Sequence, residues 1–208
     1  DVPADDLLFW GSAGNKENTT SILKDKSGNG NDGKLNNFNN TSTSGYKGSE
    51  LVFDGVDDFV DIGLANYDFK NSISYVAYVK INAFPTNKNF DIFGNWEANG
   101  GGISVTTSKH MQFILYNSNS YIVNLSSSPV LKDKYYTIVG TYDGTNLKLY
   151  LDGNLINTVS SSKATSSTMP IYIGANPSQN NNKYEFPTKM NLTQAMLYDR
   201  TLTADEVS

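Results

Sequence analysis

The chain has 208 residues, 38% hydrophobic and 12% aromatic, with no Cys and a formal charge of -5 from 16 Lys and Arg against 21 Asp and Glu. That apolar content suffices for one sizeable core, so a single domain over residues 1–208 is expected, and an acidic balance without a basic run excludes the electrostatic footprint of a nucleic-acid partner. Disulfides and thiolate metal sites are excluded, no apolar run approaches a membrane span, and Asp1-Val2-Pro3-Ala4-Asp5-Asp6 is unlike a cationic signal segment, so a soluble module without membrane insertion is expected.

Leu7-Leu8-Phe9-Trp10 is an apolar run of strand length, ended by the breakers of Gly11-Ser12-Ala13-Gly14-Asn15. Asp25-Lys26-Ser27-Gly28-Asn29-Gly30-Asn31-Asp32-Gly33 is too rich in Gly, Asn and Asp for regular structure, and it offers carbonyls to solvent or to an ion. A short strand follows near Lys34 to Phe38. The stretch Leu51 to Gly63 reads as a β-hairpin, with Val52-Phe53 leading in, Asp54-Gly55 as the turn and Phe59-Val60-Asp61-Ile62 alternating on the way out.

Residues 72–81 form the clearest long strand, placing Ile73, Tyr75, Ala77, Val79 and Ile81 on one face and Val76 and Tyr78 on the other. Further strands are expected at 90–93, 102–106, 111–116, 121–125, 135–142, 147–151, 155–159, 170–173 and 190–198. Tyr142-Asp143-Gly144-Thr145-Asn146 and Leu151-Asp152-Gly153-Asn154 each mark a hairpin. The one helix signal is the capping box of Thr203 and Glu206 around a single C-terminal turn.

Six blocks, 7–10, 25–33, 51–60, 140–144, 149–153 and 197–207, stand in an order and rough spacing that resembles the concanavalin A-like lectin/glucanase superfamily, and within it the bacterial laminin G-like jelly-roll modules. The resemblance implies an all-β fold, a two-sheet antiparallel jelly-roll sandwich with chain ends close together. It also implies an extracellular, cell-surface or virion-surface setting, a glycan or polysaccharide ligand, and neighbouring domains in the same parent chain. The scaffold carries enzymes, binding modules, adhesins and spacers alike, so function has to be argued from side chains.

Glucanases on this scaffold use Glu-x-Asp-x-x-Glu on one strand, and that motif is absent here. Glycoside hydrolysis needs two carboxyl groups across the scissile bond, and His110, the sole histidine, has no Ser or Cys motif around it. A non-enzyme is expected.

Sugar binding needs aromatic faces beside amides and carboxylates. Asn95, Trp96 and Glu97 precede a Gly-rich turn, so Trp96 reads either as a rim aromatic or as a ring folded over the sandwich edge; Trp10 stands where the resemblance implies a buried or half-buried aromatic, which favours the core. Tyr116 and Tyr121 flank an Asn-Ser turn and, with Tyr78 and His110, form either a sugar platform or a set of cross-strand pairs. Residues 179–185 read as a connector, the alternative being that Tyr184 and Glu185 close over a ligand. Calcium (Ca2+) accompanies the family in oxygen-rich loops, and Asp25, Asp32, Asp57 and Asp58 are the candidate ligands, unless their role is to shape turns. Where relatives often carry a Gly and an acidic pair, this chain has Met190, Thr193 and Gln194, which counts against a metal there.

Overall fold

Period-two alternation folds as strands through most of the chain, and the computed structural model describes residues 2–68, 72–96, 99–117, 120–161, 167–178 and 184–208. The elements are β1 (Leu7–Ser12), β2 (Ile22–Leu23), β3 (Gly33–Asn36), β4 (Gly45–Lys47), β5 (Glu50–Asp54), β6 (Phe59–Asp61), β7 (Ile73–Ile81) and β8 (Phe90–Gly94). They continue with β9 (Gly101–Val105), β10 (Met111–Tyr116), β11 (Tyr121–Leu125), β12 (Tyr135–Tyr142), β13 (Asn146–Leu151), β14 (Asn154–Ser160), β15 (Tyr172–Ile173), β16 (Lys189–Tyr198) and α1 (Ala204–Val207).

Two antiparallel sheets face each other as a jelly-roll sandwich. The first runs β14-β13-β12-β7-β16-β5-β4, and β1 pairs with β16 beyond β5. The second runs β11-β10-β9-β8-β15-β6-β3-β2. At the termini Leu7 lies opposite Tyr198, and Asp199 N–H donates to the Asp6 carbonyl at 2.8 Å, so the two terminal strands lie side by side.

The stretch from Leu51 to Gly63 corrects one expectation. Its two arms do not pair with each other: β5 pairs with β4 and β16 in the first sheet, β6 with β3 and β15 in the second. Asp54 to Asp58 is therefore a corner where the chain changes sheets. Side chains replace the missing ladder there, since Asp58 Oδ2 accepts from Asp54 N–H at 2.9 Å and Asp54 Oδ1 accepts from Val56 N–H at 2.7 Å. Alternation fixed the face that each arm buries but left its partner strand open.

The expected hairpins 142–146 and 151–154 do form, joining β12 to β13 and β13 to β14. In the second, Asp152 and Gly153 have φ of 49° and 78°, the left-handed pair that a two-residue turn requires. The C-terminal turn carries the full Thr203–Glu206 capping box. The strands β2 and β4, of 2 and 3 residues, are too short to show periodicity and went unread.

On β7, Ile73, Tyr75, Ala77, Val79 and Ile81 are fully buried between the sheets, as their alternation requires. They meet Phe53, Phe93, Phe113 and Leu149 in one continuous apolar core, where the Tyr75 and Phe93 rings pack edge to face at 5.2 Å. Trp10 does not join it. The ring lies half-buried on the outer face of the first sheet, with Nε1 donating to Gln194 Oε1 at 3.2 Å and Lys26 Nζ 3.7 Å above it. A register irregularity between Leu7 and Phe9 sets that phase. Among the described residues no helix is long and apolar enough to cross a membrane.

Candidate functional site

Two polar segments bounded by aromatics meet at the outer face of the second sheet. Residues 84–90, Phe-Pro-Thr-Asn-Lys-Asn-Phe, lead into β8, and Glu185-Phe186-Pro187 precede β16. The second segment is laid along β8 and β15 by backbone bonds. Asp91 N–H donates to the Phe186 carbonyl at 3.1 Å, Asn176 and Glu185 exchange N–H···O bonds of 2.8 and 2.7 Å, and Thr188 N–H reaches the Gly174 carbonyl at 2.8 Å. Thr188 Oγ1 also donates to the Asp91 carbonyl.

Between the segments lies a cleft of about 430 Å³, lined by Phe84, Thr86, Asn87, Lys88, Asn89, Phe90, Glu185, Phe186 and Pro187. That is the size of a small-ligand site. A second lobe continues from it past Trp96 and Thr107. Phe186 has φ 54°, a left-handed conformation that a bulky side chain adopts only under constraint. Such strain costs roughly 1–3 kcal/mol and gathers at functional positions. Here it accompanies a ring stacked on Trp96, with centroids 5.7 Å apart and planes 19° from parallel.

Trp96 is 7% exposed. Its Nε1 donates to Asp91 Oδ1, and Tyr121 meets its ring edge to face at 5.6 Å. It is thus a wall of the second lobe rather than a free platform. Asn95 is buried away from the cleft, with Nδ2 donating to the Met169 carbonyl at 3.0 Å and Oδ1 accepting from Gly101 N–H at 3.2 Å. Glu97 lies outside the described residues. Tyr116 and Tyr121 face each other in the β10–β11 register, ring centroids 5.1 Å apart, extending the aromatic run Phe186, Trp96, Tyr121, Tyr116.

Two expected members of that set lie elsewhere. The Tyr78 side chain projects from the outer face of the other sheet, where it packs on Tyr135 at 5.1 Å. His110 closes the β9–β10 connection, its Nδ1 2.6 Å from the Ser126 carbonyl. Conversely Phe84, Asn87, Lys88, Asn89 and Phe186 were not singled out from the sequence. For the first four the signal was there to read, a Pro- and Asn-containing loop between two phenylalanines.

The candidate calcium ligands divide into two places. In the 25–33 loop, Asp25 accepts from the N–H groups of Trp10 (3.0 Å), Ser27 (2.9 Å) and Asn31 (2.9 Å) and from the Ser27 hydroxyl (2.8 Å). Asp32 accepts from Asp25 N–H at 2.9 Å and from Lys24 Nζ at 2.8 Å, and the lysine holds its carboxyl below the usual range. These oxygens serve the loop's own donors, so the pair does not fit a calcium cage. At the sheet corner, carboxylate oxygens of Asp54, Asp57 and Asp58 lie within 4.8 Å of one another. Yet Asp58 is 1% exposed, with its oxygens already accepting from Ser44 Oγ at 3.0 Å and Asp54 N–H at 2.9 Å. Calcium takes roughly 6–8 oxygens, so an ion here would share these acceptors with the corner's own donors.

Burial pushes the Asp58 carboxyl up from 3.8 to about 6, which makes a first prediction. A carboxyl whose folded pKa is raised adds stability below its unfolded pKa, and that stability is lost as the pH climbs through the folded one. The displacement is worth roughly 3 kcal/mol. Urea unfolding should therefore show the stability of the natural protein, measured against Asp58→Asn, falling by roughly 2–3 kcal/mol between about pH 4 and pH 7. Millimolar calcium should leave the profile in place. A flat difference, or a profile that calcium shifts downward, would refute this account of the corner.

A family model described as concanavalin A-like lectin/glucanases superfamily matches residues 54–208. Among solved structures, a mutant of Trypanosoma rangeli sialidase displaying trans-sialidase activity is similar with a TM-score of 0.69 at 19% identity, over 99% of this chain and 32% of that one. Botulinum neurotoxin type C, from work on its cell entry through two ganglioside molecules, gives 0.69 at 16%, over 98% of this chain and 50% of that one. The binding domain of botulinum neurotoxin DC, in complex with rat synaptotagmin II, gives 0.68 at 18%, over 100% and 51%. At these identities the likeness is one of fold, and the chain spans a third to a half of those structures. No curated protein matches it in sequence.

Proposed function

We propose that this chain, which belongs to the concanavalin A-like lectin/glucanase superfamily, is a non-catalytic carbohydrate-binding module of an extracellular protein, with its ligand in the cleft between residues 84–90 and 185–187. One observation carries the reading: Phe84, Phe90 and Phe186 stand beside Asn87, Asn89 and Glu185 in a single cleft. Phenyl faces meet the apolar faces of a pyranose, while amides and a carboxylate read its hydroxyls. The strained backbone at Phe186 supports it, since the ring is held in place before a ligand arrives. Structural neighbours described by sialidase activity and ganglioside interaction are consistent with glycan binding in general.

The non-catalytic part of the proposal rests on the carboxylates. Glu185 is the acid that lines the cleft among the described residues, whereas Asp91 is fully buried and bonded to the Trp96 indole. Hydrolysis of a glycosidic bond needs a pair of carboxyl groups facing the substrate.

Glycan arrays followed by calorimetry test the reading. Phe186→Ala, and separately the double change Asn87→Ala with Asn89→Ala, should each weaken a bound oligosaccharide by about tenfold or more, in line with the loss of one stacking face or two polar contacts. The absence of binding to bacterial, host and plant polysaccharides at millimolar concentration would overturn it. A second reading, a protein-interaction or adhesin spacer, is favoured by the exposed row Tyr121, Val123 and Leu125 on the edge strand β11, at 38%, 38% and 42% exposure. Self-association abolished by Val123→Lys, with no glycan bound, would select it.

A further inference from the structure

Two ammonium groups lie over phenylalanine rings that line this cleft. Lys88 lines both of its lobes and holds Nζ 5.0 Å from the centroid of the Phe186 ring. Lys109, from the turn between β9 and β10, does not itself line either lobe but holds Nζ 5.5 Å from the centroid of Phe84, a ring of the lining. Thr107 of the same turn lines the second lobe. Both distances lie within the range of cation–π attraction, which orients a lysine without neutralising it. Among the described residues neither has a carboxylate within ion-pair distance, in a chain whose net charge is -5. Glu185 opens onto the same space, but its Oε1 accepts from Ser178 Oγ at 2.8 Å rather than pairing with Lys88.

Resting on the carbohydrate-binding reading above, we propose that the cleft selects an acidic sugar, a pyranose bearing a carboxylate or a sulfate, whose anion is met by Lys88 and Lys109. A neutral sugar would leave both ammonium groups without an anionic partner, whereas an anion replaces their water with charge-assisted hydrogen bonds. Asn87, Asn89 and Glu185 remain for the sugar's hydroxyls.

The test uses matched oligosaccharides of equal length, neutral, uronate-bearing and sulfated, titrated calorimetrically into the whole chain. At least one acidic form should bind about tenfold or more tighter than its neutral counterpart, as one charge-assisted contact provides. Raising the ionic strength from about 0.02 to 0.3 M should erode that preference and leave neutral binding unchanged. The double variant Lys88→Ala with Lys109→Ala should bring acidic and neutral affinities together, while Lys88→Arg with Lys109→Arg keeps them apart. Preference for either acidic form supports the proposal and identifies the anion. Equal binding of neutral and acidic sugars, or a preference that survives in the double alanine variant, overturns it and leaves the carbohydrate-binding reading standing. Binding of none of the three overturns both.

Discussion

Gly94→Ala should destabilise the protein by at least about 3 kcal/mol, lowering its melting temperature by roughly 6–12 °C in a chain of this length. Gly94 lies opposite Gly102 in the β8–β9 ladder. A Cβ on Gly94 would stand 2.4 Å from the Gly101 carbonyl oxygen and 2.5 Å from Gly102 Cα. Gly102→Ala meets backbone too, its Cβ falling 2.6 Å from the Phe93 carbonyl oxygen and 2.8 Å from Gly94 Cα. Side-chain repacking cannot relieve a collision with main chain, so the strands must separate and give up hydrogen bonds. Denaturant titration measures the cost; a loss below about 1 kcal/mol would mean that β8 and β9 part easily and that the glycine pair sets no geometry.

Trp96→Ala should cost about 3–5 kcal/mol, the range for deleting a buried aromatic, and should also weaken glycan binding because Phe186 loses its support. Trp96→Phe separates ring from N–H. It keeps a stacking partner for Phe186 but removes the indole donor from Asp91, a fully buried acid, for which roughly 1–3 kcal/mol is expected. Equal losses in the two variants would assign the stability to the hydrogen bond. A loss confined to the alanine variant would assign it to packing.

Much of the sandwich was legible in the sequence because the cue was local. The faces of β7, the Asp152-Gly153 turn and the Thr203 cap are each set by neighbours within a few residues, and each forms as expected. The Asp54–Asp58 corner was not legible, since an Asp-Gly turn between alternating arms looks the same whether the arms pair together or with strands far away in sequence. The same limit applied to Tyr78, whose alternation predicted an outward face but could not say which sheet it belongs to. Trp10, which the resemblance implies to be buried or half-buried, is half-buried but outside the main core, on the outer face that a register irregularity after Leu7 turns it to. The cleft was missed for a further reason. Its linings come from segments about a hundred residues apart, brought together by contacts such as the Asp91–Phe186 and Thr188–Asp91 hydrogen bonds that no local pattern announces.

The pairing of Leu7 with Tyr198 also fixes how the fold answers tension. β1 and β16 run antiparallel with Leu7 and Tyr198 at the same end, so a pull through those two residues loads the ladder one rung at a time. The first rung to open exposes the next, Phe9 opposite Leu197, and the strands unzip rather than shear. A module loaded through those two residues should therefore open at lower force than one whose terminal strands are sheared, and single-molecule stretching would measure the difference.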